Sequence, residues 1–216
     1  MKRLCPILLL VLTACATAQI DMPDGSFAVQ GANPRRWNQP ISFGEWHTES
    51  VNEGTTRSWL IDTKVLDVAK SDQAYRMVVN GINVECHMRE LTLGAAGVFI
   101  DPSLGRNPIL VCGYERPPFT RTVLALSRTG RPEPALQGEL REIGGPALQV
   151  RSIHRAHGSR FASSEPFGFE ILSGDNAVAM VETINQGRVW IDPDARANRD
   201  TLAAVAASLL LFREAS

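Results

Sequence analysis

The side chains best suited to chemistry are gathered in one stretch, Arg151-Ser152-Ile153-His154-Arg155-Ala156-His157-Gly158-Ser159-Arg160. It places two imidazoles three residues apart among three guanidinium groups. An H-x-x-H pair supplies two metal ligands at most, and a metal site needs more that converge. The neighbouring arginines would also oppose a cation. Arginine forks instead match phosphate and carboxylate. From Arg116 to Arg160 the chain carries eight arginines and three carboxylates, a local excess of positive charge. Arg151, His154, Arg155, His157 and Arg160 are therefore candidates for binding an anionic partner, such as a lipid headgroup, a lipopolysaccharide phosphate or an acidic glycan. The plain alternative is a solvated face with scattered ion pairs.

Other reactive residue types give weaker signals. Cys86-His87 places a thiol beside an imidazole, but alternation along a strand sends the two side chains to opposite faces. Cys112-Gly113-Tyr114 lacks the setting of a cysteine-protease nucleophile. Asp192, Asp194, Asn198 and Asp200 resemble a calcium loop only loosely, without its glycine or terminal glutamate, and read better as a turn with a helix N-cap. No G-x-S-x-G, Walker loop or H-E-x-x-H occurs in the chain. A Ser-His-Asp triad assembled from distant residues stays open, because triads are defined by geometry. Trp37, Trp46, Trp59 and Trp190 either line a groove or pack in core and rim, and Trp59 and Trp190 fall on expected strands. Nothing in the residues calls for a cofactor or a metal.

The N-terminus carries the most specific pattern. Lys2 and Arg3 precede an apolar run from Leu4 to Leu12, and the run ends in Leu12-Thr13-Ala14-Cys15. A positive start, a short apolar stretch and small residues at the cut make a signal peptide. The run is too short to span a bilayer, which takes about 20 residues. Leu12-Thr13-Ala14-Cys15 resembles the lipobox of bacterial lipoproteins. The resemblance covers residues 1–15 and implies cleavage before Cys15, acylation of that cysteine and membrane attachment through its chains. Ala16 at the next position implies, by analogy with the enteric sorting rule, the inner leaflet of the outer membrane, facing the periplasm. Two alternatives remain at this level: an ordinary secretory cut after Ala16-Thr17-Ala18, giving a soluble chain from Gln19, and an uncleaved anchor.

Cleavage leaves residues 15–216, one domain's length. With Lys2 and Arg3 gone the formal charge falls from −1 to −3, which does not suggest a nucleic-acid partner. Cys15, Cys86 and Cys112 remain. Acylation of Cys15 leaves an even pair in an oxidising compartment, so Cys86 and Cys112 are expected to form a disulfide. Residues 15–40, with Pro23, Gly25, Gly31, Pro34 and Pro40, read as the lipidated N-terminus and a flexible tether. A tether of that length has a mean reach of roughly 25–30 Å, enough to lift a domain clear of the headgroups.

The elements that must position these residues lie in 41–216. Tyr75, Met77 and Val79 alternate on one face, Asn80-Gly81 is a strong hairpin signal, and Ile82, Val84, Cys86 and Met88 alternate again. Further short runs at Ile109–Glu115, Thr122–Leu126, Leu136–Arg141, Ala147–His154, Phe167–Ile171, Ala177–Ile184 and Arg188–Asp192 are separated by turn residues. This spacing predicts an antiparallel meander closed into a barrel of about twelve short strands, with a β-sandwich carrying a packed helix as the alternative. Residues 62–71 suit a short helix. Residues 200–213 end the chain with a second one, whose Leu202–Phe212 run holds no charge. A helix apolar on every side must be buried on every side, and a sheet curled around it supplies that burial.

This order of elements, together with Phe167-Gly168-Phe169-Glu170, Ala179-Met180-Val181-Glu182 and the Leu202–Phe212 run, resembles the tubby C-terminal-like proteins, including phospholipid scramblases. Over residues 41–216 the resemblance implies a closed barrel around the last helix and carries no activity, because the family's phosphoinositide-binding residues have no match here. The expectation for function is a membrane-anchored, non-enzymatic binding or scaffolding module of the cell envelope, with an envelope protein, a glycan or an anionic lipid as partner. An envelope hydrolase with dispersed catalytic residues and a lipid-handling scramblase-like barrel are the alternatives.

Overall fold

The computed structural model describes residues 17–31, 39–54, 67–68, 73–88, 93–94, 109–116, 120–131, 134–142, 147–195 and 197–212. Its strands are β1 (Phe27–Ala28), β2 (Ser42–Phe43), β3 (Trp46–Gly54), β4 (Asp67–Val68), β5 (Gln73–Val79), β6 (Ile82–Met88) and β7 (Leu93–Gly94). They continue as β8 (Leu110–Arg116), β9 (Thr120–Arg128), β10 (Leu136–Glu142), β11 (Ala147–Ile153), β12 (Gly168–Ser173), β13 (Asn176–Glu182) and β14 (Arg188–Ile191). One helix, α1 (Arg199–Leu211), follows. Twelve strands form a single antiparallel sheet in the order β1-β14-β13-β12-β11-β10-β9-β8-β6-β5-β3-β2, and β4 pairs with β7 apart from it. The edges meet just beyond β1, where Gln30 and Ser42 exchange both backbone hydrogen bonds at 2.8 and 3.0 Å. The sheet is thereby a nearly closed barrel, and an antiparallel meander solves its edge-strand problem this way.

Local sequence explains most of the pairing. Asn80 and Gly81 both take positive φ, 44° and 76°, the backbone of a tight primed turn, and the turn sets Val79 opposite Ile82. Around the barrel interior, Met88, Leu110, Leu126, Gly138, Val150, Ile171, Ala179 and Ile191 stand side by side on successive strands. Gly138 has no substitute in this belt: a Cβ there would sit 2.0 Å from the Ala125 carbonyl oxygen. Most outward positions of β10 and β11, among them Gln137, Glu139, Arg141, Gln149 and Arg151, are polar. On these strands the barrel is thus apolar inside and polar outside, the reverse of a membrane-spanning barrel. Among the described residues no helix is long and apolar enough to cross a membrane.

α1 fills the interior. From Leu202 to Leu209 every residue is at most 1 % exposed, and the helix packs against β3, β5, β6, β8, β13 and β14, strands from both halves of the sheet. Alanine at 203, 204, 206 and 207 keeps the helix thin enough for the strands to close around it. Asn198 caps its start, accepting from the Asp200 and Thr201 N–H groups. At this end the Trp46 indole N–H donates to Asp200 at 3.1 Å, the Arg199 guanidinium lies over the Trp46 ring, and Arg116 pairs with Asp200. At the other end Phe212 meets Phe169 edge to face. The Tyr75 hydroxyl donates to the Ser208 carbonyl at 2.8 Å, and the Ser208 hydroxyl donates to the Ala204 carbonyl. The Tyr114 hydroxyl lies near Ser208 but outside hydrogen-bond geometry, so among the described residues it has no partner.

Cys86 and Cys112 face each other in register on β6 and β8, both fully buried, and are joined as a disulfide. It closes a loop of 26 residues, a restraint on the unfolded chain of roughly 3 kcal/mol in the entropy model. His87 points to the opposite face, where its imidazole shares the Glu85 carboxylate with Arg76.

Two expectations need correction. Residues 17–31 do not behave as a tether: Ile20 and Val29 are buried, Phe27–Ala28 pairs with β14, and Gln30 closes the sheet. Apolar residues spaced widely among Pro and Gly gave no period to read, yet each finds a slot on the barrel. The domain therefore starts before residue 41. The helix expected over 62–71 is a strand at Asp67–Val68, paired with β7, because partner strands override weak local propensity. Its remaining residues, like the lipobox, Cys15, Trp37 and Trp59, lie outside the described residues.

Leu209→Ala is expected to cost about 2–5 kcal/mol in urea denaturation, and an unchanged midpoint would contradict burial of α1. The chain has two tyrosines, both in this core, and burial raises both phenol pKa values. Below the unfolded value of about 10 both states keep the protons, so no stability is lost. As pH rises above it the unfolded state releases them first, and two such groups remove about 2.7 kcal/mol per further pH unit. Tyrosinate absorbance should therefore appear only together with loss of the β circular dichroism signal. Tyrosinate forming in folded protein near the ordinary phenol value would overturn this.

Candidate functional site

Of the five candidate anion-binding residues, Arg151 lies on β11 and the other four sit on the β11–β12 connection, at the barrel end where α1 finishes. The connection is built from its base outward. His154 is 1 % exposed. Its Nδ1 faces the Ser163 carbonyl at 2.9 Å, and the Ser163 N–H donates to the His154 carbonyl at 2.7 Å. These two bonds tie residues 154 and 163 together and make the segment between them a compact loop with closed ends. Nε2 lies 2.8 Å from the Ser152 hydroxyl, which itself bonds the Leu136 carbonyl at 3.1 Å.

Ser152 and His154 thus have the contacts of a nucleophile and base, but the arrangement does not support that chemistry. The Ser152 oxygen also accepts the Leu136 N–H at 2.9 Å, both side chains are buried, and the third partner is a backbone carbonyl rather than a carboxylate. The pair extends the β10–β11 ladder and pins the loop.

Beyond the pin the loop is ordered by its own short-range bonds. Gly158 turns the chain at φ 70°, the Ser159 N–H donates to the Ala156 carbonyl, and the Ser159 hydroxyl bonds both the carbonyl and the N–H of Phe161. The result is a fixed tip that presents Phe161 at 85 % exposure, the one large exposed apolar side chain among the described residues. Arg155, His157 and Arg160 are exposed on the same loop.

The other surface of the site is the segment preceding β1. The His157 N–H donates to the Gln19 carbonyl at 2.6 Å, the His157 imidazole pairs with Asp21, and the Asn185 amide donates to the Ala18 carbonyl at 2.8 Å. Beneath them Glu182, 2 % exposed, accepts the Ile20 N–H at 3.0 Å and a two-pronged grip from Arg188 at 2.7 and 3.0 Å. Arg188 also donates to the Ile20 carbonyl. A buried carboxylate held this way is costly to orphan, by about 3–5 kcal/mol when its partner is removed. Ile20 itself lies over Gly168, where a Cβ would come within 2.8 Å of its Cδ1. Residues 18–21 are thus strapped to β12–β14.

Between loop and strap runs an open groove of about 560 Å³, with Asp21, Arg151, Arg155, Ser159 and Glu170 among its lining. Its charges alternate in sign, so it is no anion trap. The structure therefore disperses the five candidates. His154 is a buried pin and cannot bind a ligand. Arg151 leans on Gln149 and stands opposite Glu170. His157 is engaged by Asp21. Arg155 and Arg160 reach the surface of the loop. Sequence reading missed Phe161, Ser163, Glu182 and the strap. The signal for the strap was Ile20 between Gln19 and Asp21, in a stretch too short to show a period. Among the described residues no three His, Cys, Asp or Glu side chains converge on a metal site.

Compared with known proteins, the chain matches no family model, no curated protein and no solved structure.

His154→Ala removes the one side-chain tie between residues 154 and 163 and leaves the Ser152 hydroxyl without its imidazole partner. A loss of about 1–3 kcal/mol is expected, with faster trypsin cleavage after Arg155 and Arg160. An unchanged cleavage rate would show that the imidazole does not hold the loop.

Proposed function

We propose that the chain is a membrane-anchored lipoprotein of the cell envelope, cut before Cys15, acylated there, and acting as a non-enzymatic binding or scaffolding module that faces the periplasm from the outer membrane. The observation that carries this reading is Leu12-Thr13-Ala14-Cys15 behind Lys2, Arg3 and the apolar run. Three structural features support it. The Cys86–Cys112 bond suits an oxidising compartment. Among the described residues the barrel centre is filled by α1, with Leu202–Leu209 buried, which speaks against a scramblase-like lipid path. The likeness to tubby-type barrels is proposed for the architecture alone. The strap also uses Ala18, whose carbonyl accepts from Asn185; a secretory cut before Gln19 would discard that contact.

Mass spectrometry of the mature N-terminus tests the reading. A diacylated or triacylated Cys15 is expected, and Cys15→Ala should move the protein from the membrane to the soluble fraction or leave it unprocessed. An unmodified Gln19 start would overturn the proposal.

A further inference from the structure

We propose that the 154–163 loop is a membrane-docking element: Phe161 enters the interfacial region of the leaflet that holds Cys15, and Arg155 and Arg160 meet anionic phospholipid headgroups. The proposal rests on the lipoprotein reading for its geometry and adds to it the face by which the barrel lies on the bilayer.

Chain length supplies the first argument. Ala18 is hydrogen-bonded to Asn185, and Gln19 to His157 of the loop itself. Only three peptide units separate Ala18 from Cys15, and they span at most about 11 Å. A headgroup layer is itself roughly 5–7 Å thick. An acylated Cys15 would therefore hold this end of the barrel against the surface, with no room for the barrel to stand off or turn over. The strap and the loop are joined by the His157–Gln19 and His157–Asp21 contacts, so the end that is held is the end that carries Phe161.

The construction of the loop supplies the second argument. An exposed phenylalanine alone needs no explanation. Here, however, His154 and Ser163 close the base, Gly158 turns the tip, and the Ser159 hydroxyl grips the backbone of Phe161 on both sides. These bonds fix the backbone that carries the ring, and the ring stands exposed. Arg160 precedes Phe161 in the chain and Arg155 is exposed on the same loop, and basic side chains are drawn to anionic leaflets. An aromatic residue with a basic rim suits the boundary between headgroups and acyl chains. A single ring and two charges bind weakly from solution, but an anchor a few residues away makes the contact intramolecular.

The test uses the full mature protein in vesicles of phosphatidylethanolamine and phosphatidylglycerol whose acyl chains carry bromine. With Cys15 acylated and Cys86 bonded to Cys112, Ala162→Cys gives one thiol for an environment-sensitive dye beside Phe161. Asp175→Cys, in the β12–β13 turn at the opposite end, serves as reference. Quenching at 162 should exceed that at 175 several-fold, and should fall to the reference level in Phe161→Asp/Arg155→Glu/Arg160→Glu with an unchanged thermal unfolding midpoint. Equal quenching at the two sites, or quenching at 162 indifferent to the triple variant, overturns the proposal. A photocrosslinker at 162 that captures protein in intact cells, without bromine quenching, also overturns it and makes the loop a protein-binding surface. The state of Cys15 is read separately by mass. Should the mature chain instead begin at Gln19, position 162 still carries the one free thiol and the labelled protein added to the same vesicles decides: quenching upholds the docking face without the anchor, and no quenching ends the docking proposal as the mass ended the anchor.

Discussion

The burial of α1 is the constraint on which the rest of the molecule depends. Its sequence offers no polar face, and Leu202–Leu209 can leave water only if protein surrounds it on all sides. One layer of sheet cannot do that; twelve strands that curl until Gln30 meets Ser42 can. Several local choices serve this one requirement. The alanines of α1 thin the helix, Gly138 lets neighbouring backbone approach, and Ser208 answers the Tyr75 hydroxyl within an otherwise apolar interior. The Cys86–Cys112 bond crosses between adjacent strands of the same wall.

Closure also explains why the N-terminal segment is part of the domain. The sheet has β14 at one edge of the meander and β2 at the other, and residues 27–30 fit between them. Once that insertion is made, residues 18–21 lie across β12–β14 and find the Glu182–Arg188 pair. Glu182 faces outward on β13 and would be an ordinary surface carboxylate but for the strap. Its burial follows from Ile20, and the hydrogen bonds to Ile20 compensate for it.

The histidines show how little residue type says about role. His154 and His157 are three residues apart in one basic stretch, yet one is a buried pin with both ring nitrogens bonded inside the protein, and the other is an exposed partner for Asp21. The difference is strand register. His154 continues the inward row of Leu148, Val150 and Ser152, whereas His157 lies past the turn in the loop.

Much of the architecture was legible in the sequence because it rests on local periodicity. Alternation located β5, β6 and β8 to β14, Asn80-Gly81 marked its hairpin, and the uncharged C-terminal run announced a helix buried on all sides. The pairing of Cys86 with Cys112 was accessible by counting, once Cys15 was set aside. What the tertiary structure alone decided are contacts between residues far apart in the chain: Ile20 with Glu182, His157 with Gln19, Trp46 with Asp200. Such contacts leave no periodic trace, since each needs one side chain in the right place and nothing from its neighbours. For the same reason a segment rich in proline and glycine read as a tether, and a basic stretch read as one anion site, until the fold set the first against the barrel and divided the second between core, groove and loop tip.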